Sequence, residues 1–198
     1  MQGVGAVRWW FKARKGHTLL PLALAVFLGA LYAVQDTTVL LPSIVGSPRV
    51  ALSLFVPVPL LAFLMAALES RLPAAESSGV RSLARLDNSL ITAVMAAAVL
   101  CGVLVAAVQG TAAATTGGRN ALFLTGLMLI GRAWVGQAAV MVPVGWLVTI
   151  AVVGFRGNLP YAWTVIALPA DHVFAAAASL IVFAIGLVSH TRSSRRSA

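Results

Sequence analysis

Charge is what this sequence has least of. Only 10% of its 198 residues are Asp, Glu, Lys or Arg, against about a quarter in water-soluble domains. That shortage excludes a soluble globular enzyme, and a composition that is 60% hydrophobic excludes a disordered chain. Cysteine occurs once, at Cys101 within an apolar run, so neither an intrachain disulfide nor a Cys-based zinc site can form. The chain lacks the phosphate-cradling Gly-x-x-x-x-Gly-Lys-Ser/Thr, the zinc motif His-Glu-x-x-His and the nucleophile elbow Gly-x-Ser-x-Gly. His17, His172 and His190 fall near three different membrane edges, which argues against a shared metal. There are five acidic residues, and none falls mid-span in the assignment below. An ion-coupled carrier usually needs such a group. Arg132 and the interfacial pair Asp171 and His172 are the nearest equivalents. Catalysis by this chain is therefore not expected.

What the chain does have is long apolar blocks and a mean hydropathy of +0.96. Crossing a bilayer takes about 20 apolar residues, and blocks at 18–34, 50–68, 89–108 and 171–189 approach that length. The first follows a basic start but runs long for a signal peptide and is followed by no Ala-x-Ala site, so it reads as a retained span. Pro57 and Pro59 fall inside the second and predict a kink. Residues 120–155 form one stretch of 36 residues, about 54 Å as a helix and too long for a core of about 30 Å. Arg132 to Gln137, with Trp134 and Gly136, is the mixture expected at an interface. The stretch therefore splits into spans at 119–132 and 137–155. The expected fold is all-α: a polytopic membrane protein with six transmembrane helices at 18–189, a segment 1–17 before them and a basic tail 190–198.

The charges agree with six. With both termini inside, Arg8, Lys12, Arg14, Lys15, Arg71, Arg81, Arg85, Arg132, Arg192, Arg195 and Arg196 are cytoplasmic. Only Arg49, Arg119 and Arg156 are outside. The net charge of +9 is thus explained by the positive-inside rule and not by nucleic acid. Fusing spans four and five would place the basic tail outside.

The segments between spans carry the remaining signals. On a helical projection Val4, Val7, Trp10 and Phe11 share one side, and Arg8, Lys12 and Lys15 an adjoining one. Arg14 breaks the pattern, although a long Arg can snorkel. This fits an amphipathic helix lying on the inner leaflet. The inner loop 69–88 places Pro73 and Glu76 where a short helix would start, then Val80, Leu83 and Ala84 at helical spacing, with Arg81 and Arg85 at i, i+4. It is either a docking helix or a solvated connection. Of the outward-facing segments, 109–118 has few features. Residues 156–170 hold Pro160-Tyr-Ala-Trp163 and Pro169, suited to an interfacial or partly re-entrant segment.

This layout resembles type V ABC exporter permeases, small membrane subunits whose ATPase is a separate chain. Leu68-Glu69 through Leu86-Asp87, Arg119-Asn-Ala-Leu-Phe-Leu-Thr-Gly-Leu-Met-Leu-Ile-Gly-Arg132, Pro143-Val-Gly-Trp146 and Trp163 look like segments of actinobacterial members. The resemblance implies a connecting helix with Arg8, Trp9, Trp10, Phe11 and Lys12 resting on the ATPase and the inner leaflet. It implies a coupling helix at 74–86 seated in the ATPase, with Glu69, Glu76, Val80, Arg81, Leu83 and Arg85 at that contact. It further implies a second permease copy facing spans one and five, no cofactor or metal on this chain, ATP and Mg on the partner, and a home in the bacterial cell membrane. Outer loops shorter than those of larger members leave no room for a large recognition domain. The competing expectation is a non-transport scaffold, sensor or accessory subunit that binds a cytoplasmic partner through the same loop.

Overall fold

The computed structural model describes residues 16–34, 37–40, 47–70 and 83–196. The segment 1–15, with Arg8, Trp9, Trp10, Phe11 and Lys12, lies outside the described residues. So do Glu76, Val80 and Arg81 of the inner loop.

Helix α1 (Gly16–Val34) buries Leu20, Ala23, Phe27 and Leu31, spaced three and four apart, and so presents one stripe to the core. Its other faces expose Leu22, Val26, Leu28 and Tyr32. Such exposure is costly in water and neutral against lipid tails. Strands β1 (Thr38–Leu40) and β2 (Arg49–Ala51) then pair antiparallel, with Val39 opposite Val50.

A short 3-10 turn, Leu52–Leu54, leads to α2 (Pro57–Glu69). Here the structure corrects the expected kink. Pro57 and Pro59 occupy the first turn of the helix, where the missing N–H groups would have had no intrahelical acceptor. The prolines start this helix instead of bending it.

Helix α3 (Leu83–Gln109) is the longest, about 40 Å end to end. A 3-10 turn at Ala112–Ala114 reverses the chain into α4 (Thr115–Val135). Helix α4 occupies the middle of the bundle and packs against α2, α3, α5 and α6. Its buried residues include Gly117, Gly118, Ala121 and Gly126, small side chains that let neighbouring backbones come close. A Cβ built on Gly126 would lie 2.6 Å from the Val182 carbonyl of α6.

The long apolar stretch does divide where an interface was expected. Helix α4 ends at Gly136, whose φ of 59° suits glycine, and a 3-10 turn, Gly136–Val140, leads into α5 (Met141–Val153). The Phe123 and Trp146 rings lie 5.8 Å apart. In one unbroken helix their positions would be about 35 Å apart, so α5 doubles back along α4. Strands β3 (Phe155–Arg156) and β4 (Leu159–Pro160) form a second hairpin. A 3-10 segment at Ala162–Ala167 then precedes α6 (Val173–Arg196). Helix α6 runs through most of what the sequence suggested as a separate basic tail.

Cross-links define the two ends of this up-and-down bundle. At one end, Gln109 Nε2 donates to the Tyr32 carbonyl at 3.2 Å, and the Arg49 N–H donates to Asn158 Oδ1 at 3.2 Å. The latter bond ties the two hairpins together, and this is called the hairpin end. At the other, Asn88 Nδ2 donates to the Leu187 carbonyl at 3.4 Å. The last residue of α2, the first of α3 and the last turns of α6 share this end, called the loop end. Among the described residues, five helical stretches are long and apolar enough to cross a membrane: 17–34, 52–69, 85–109, 112–153 and 173–193. The chain is mainly helical and fits a membrane protein. The fourth stretch, of 42 residues, is the one that doubles back.

Candidate functional site

The most elaborate polar arrangement lies at the hairpin end. Helix α4 starts at Thr115, which places Arg119 and Asn120 one turn inside the bundle, 9% and 0% exposed. The sequence places the start of this span at Arg119, whereas the helix starts one turn earlier. A buried guanidinium is expensive unless its donors are satisfied. Backbone carbonyls of the segment after the second hairpin do this. Arg119 Nη1 donates to the Pro169 carbonyl at 2.6 Å, and Nη2 to those of Leu168 at 2.7 Å and Ile166 at 3.4 Å. Asn120 completes the set. Its Oδ1 accepts from Arg119 Nε at 3.4 Å, and its Nδ2 donates to the Ile166 carbonyl at 3.0 Å.

The clamped segment is unusual in itself. Val165 has φ 33° and ψ −58°, a conformation that costs a β-branched residue of order 1–3 kcal/mol and persists only where the surroundings enforce it. Thr164 caps the turn through a bond from its hydroxyl to the Tyr161 carbonyl at 2.7 Å. Trp163 lies edge-on to Trp146 at 5.8 Å, so an aromatic row Phe123–Trp146–Trp163 backs the same segment. Beside it lies a half-open pocket of about 220 Å³. Its walls are Ala51, Ser53 and Leu54 before α2, Ala113 and Thr116 before and in α4, and residues 166–170. The arrangement sets one fixed cation against three backbone carbonyls.

The loop end holds a second polar group. His190 Nδ1 is 3.0 Å from Asn88 Oδ1, and His190 and Asp87 are each 2% exposed. Glu69 closes α2, with Oε1 buried and without a hydrogen-bond partner among the described residues. Leu83 opens α3, and Arg85, two residues later, is exposed. Glu69, Leu83 and Arg85 therefore flank the connection at one end of the bundle. Arg132 lies in the last turn of α4, a favourable place for a cation. Asp171 and His172 are exposed at the start of α6, at the opposite end; the His172 ring lies 6.2 Å from that of Phe174. The structure does not bring Arg132 together with that pair. Among the described residues no three His, Cys, Asp or Glu side chains cluster as metal ligands.

Sequence reasoning missed the Arg119 clamp and the buried His190. The signal for Arg119 was present: an ionisable residue inside an apolar stretch that starts earlier than residue 119 is a functional-site candidate by default. No known protein family matches the chain, and neither does any curated protein or solved structure.

Proposed function

We propose that this chain is the membrane-spanning permease subunit of an ATP-driven exporter, coupled to a separate ATPase through the connection 69–88. In this reading six helices cross the bacterial cell membrane, α4 and α5 being separate crossings, with both termini in the cytoplasm. The loop end is cytoplasmic and the hairpin end faces out. The segment 1–17 lies on the inner leaflet as an amphipathic helix.

One observation carries the reading. At about 40 Å, α3 is some 10 Å longer than the hydrocarbon core. In this reading its first turns, with Arg85, Asp87 and Asn88, project beyond the core on the cytoplasmic side. Asn88 ties that extension to α6. A force applied to the loop would thus reach α3 and α6 together, as coupling to an ATPase requires. Nucleotide and magnesium belong to the partner, and this chain supplies the path. A second permease copy facing α1 and α5 would complete a two-sided path. The exposed Gly29 and Gly145 meet nothing within the chain and leave room for close approach.

The test is purification of the tagged chain from its native membrane in a mild detergent. The reading predicts recovery of a nucleotide-hydrolysing ATPase subunit and two permease copies per complex. A scaffold or sensor would instead bring a partner whose binding is indifferent to nucleotide, and that result rejects the permease assignment.

A further inference from the structure

We propose that the two hairpins together form a docking platform for an anionic phospholipid, with Arg49 and Arg156 as its cations and Leu40 and Leu159 as its apolar contacts. The inference rests on the chain being embedded in a membrane. It needs no ATPase partner and holds whichever side the hairpin end faces.

The hairpins are built alike. Directly opposed residues of an antiparallel pair share a face, and successive residues alternate between faces. The inward pairs are Val39 with Val50 and Phe155 with Pro160, and Val50 and Phe155 belong to the buried core. The outward pairs are Leu40 with Arg49 and Leu159 with Arg156. Each hairpin thus sets an arginine beside a leucine, with Cβ atoms about 5 Å apart, and those leucines are 63% and 74% exposed. The bond from the Arg49 N–H to Asn158 Oδ1, at 3.2 Å, joins the first hairpin to the turn of the second. The two pairs are therefore neighbours.

These arginines have donors to spare. At the same end of the bundle, Arg119 commits its guanidinium to three carbonyls. Arg49 and Arg156 are exposed, and among the described residues neither guanidinium has a hydrogen-bond or ion-pair partner. Of the described acids, Glu69 and Asp87 lie at the loop end, and Asp171 alone lies at this one.

The position of the pairs along the chain selects the partner. Helix α1 ends four residues before β1 and α5 two residues before β3, so each hairpin follows closely on an apolar helix. A phospholipid offers both halves of what the pairs need: a phosphate that matches the guanidinium fork, and acyl chains for the leucines. A soluble anion would engage the arginines and leave the leucines in water. The leucines sit at the glycerol level, which water still reaches.

The experiment places an apolar bimane on Leu159→Cys in a Cys101→Ser protein in nanodiscs. The discs carry a small fraction of phosphatidylglycerol or phosphatidylcholine, spin-labelled high on the acyl chain, and quenching reads which lipid stands beside the hairpin. Each arginine near an anionic lipid is worth a factor of about five in association. Phosphatidylglycerol should therefore be preferred by about tenfold or more, and Arg49→Gln with Arg156→Gln should remove most of that preference. Bimane on Trp134→Cys, 86% exposed in the last turn of α4, should keep its lipid preference in the same double variant. Both arginines are exposed, so their replacement should leave the fold intact. The parent also decides without them, because the preference should shrink as salt screens the charges. Equal quenching by the two lipids, a preference that survives the double variant or high salt, or its abolition by excess soluble glycerol phosphate would each overturn the proposal.

Discussion

Nδ1 of His190 stands 3.0 Å from Oδ1 of Asn88, a contact across 102 positions of sequence that fastens the start of α3 to the end of α6. Asn88 also donates to the Leu187 carbonyl at 3.4 Å. Both bonds lie at the loop end of the bundle. Asn88→Ala should cost about 1–2 kcal/mol, as expected for removing a part-buried hydrogen-bonding group. Thermal unfolding in detergent checks this, and Ser89→Ala, at an exposed neighbour whose hydroxyl bonds only within its own helix, should change it by less than about 0.5 kcal/mol.

Close packing of α4 on α6 makes a sharper contrast between two glycines. A Cβ at Gly126 would sit 2.6 Å from the Val182 carbonyl carbon and oxygen, whereas at Gly145 it would meet nothing within 4 Å. Gly126→Ala must push two backbones apart and should destabilise by about 1–3 kcal/mol. Gly145→Ala relieves the helix-propensity cost of glycine and should be neutral, or stabilising by up to about 1 kcal/mol, in the isolated chain. Midpoints of unfolding for the two variants should therefore move in different directions or by clearly different amounts.

The exposed glycines make a separate prediction about assembly. If α1 and α5 face a second copy, Gly29→Leu and Gly145→Leu should leave the monomer folded and weaken the pair. Native mass spectrometry in mild detergent reads this as a shift from two copies to one. Unchanged stoichiometry would place lipid, not protein, against these faces.

Much of the architecture was legible in the sequence, and the reason is physical. A span is a length of apolar chain, so its existence survives ignorance of its neighbours, and the division of residues 112–153 showed itself through Arg132, Trp134 and Gly136 at mid-stretch. Short-range features were less visible. Strands of two and three residues, such as Phe155–Arg156 and Thr38–Leu40, are too brief to show an alternating pattern. Pro57 and Pro59 were misplaced because an apolar window does not distinguish a helix start from the strand and turn before it. Arg119 was missed for a deeper reason. Its partners are the carbonyls of Ile166, Leu168 and Pro169, 47 to 50 positions away, and a backbone acceptor leaves no trace in residue type.

Orientation can be checked without any partner. In a Cys101→Ser background, Leu159→Cys in the second hairpin should react with a membrane-impermeant maleimide in intact cells. Ser193→Cys, near the end of α6, should react only after permeabilisation. The positive-inside distribution predicts that order, and outside labelling at Ser193→Cys reverses the topology.

Coupling through the 69–88 connection is the centre of the functional account, and one double substitution tests it most directly. An ATPase that closes on ATP moves membrane helices only if some element is gripped by both. In the proposed coupling, Val80 and Leu83, three apart in the sequence beside Arg81 and Arg85, would supply the apolar contacts. Val80→Asp with Leu83→Asp would bury charge at the contact, costing several kcal/mol, and the bundle should still fold, because Leu83 opens α3 ahead of its apolar stretch 85–109. The measurement is recovery of the ATPase with the tagged chain, together with the nucleotide turnover of what is recovered. The account predicts loss of the ATPase, or turnover no longer influenced by the membrane subunit. A double variant that keeps both its partner and normal turnover would show that the connection between α2 and α3 is not the coupling element.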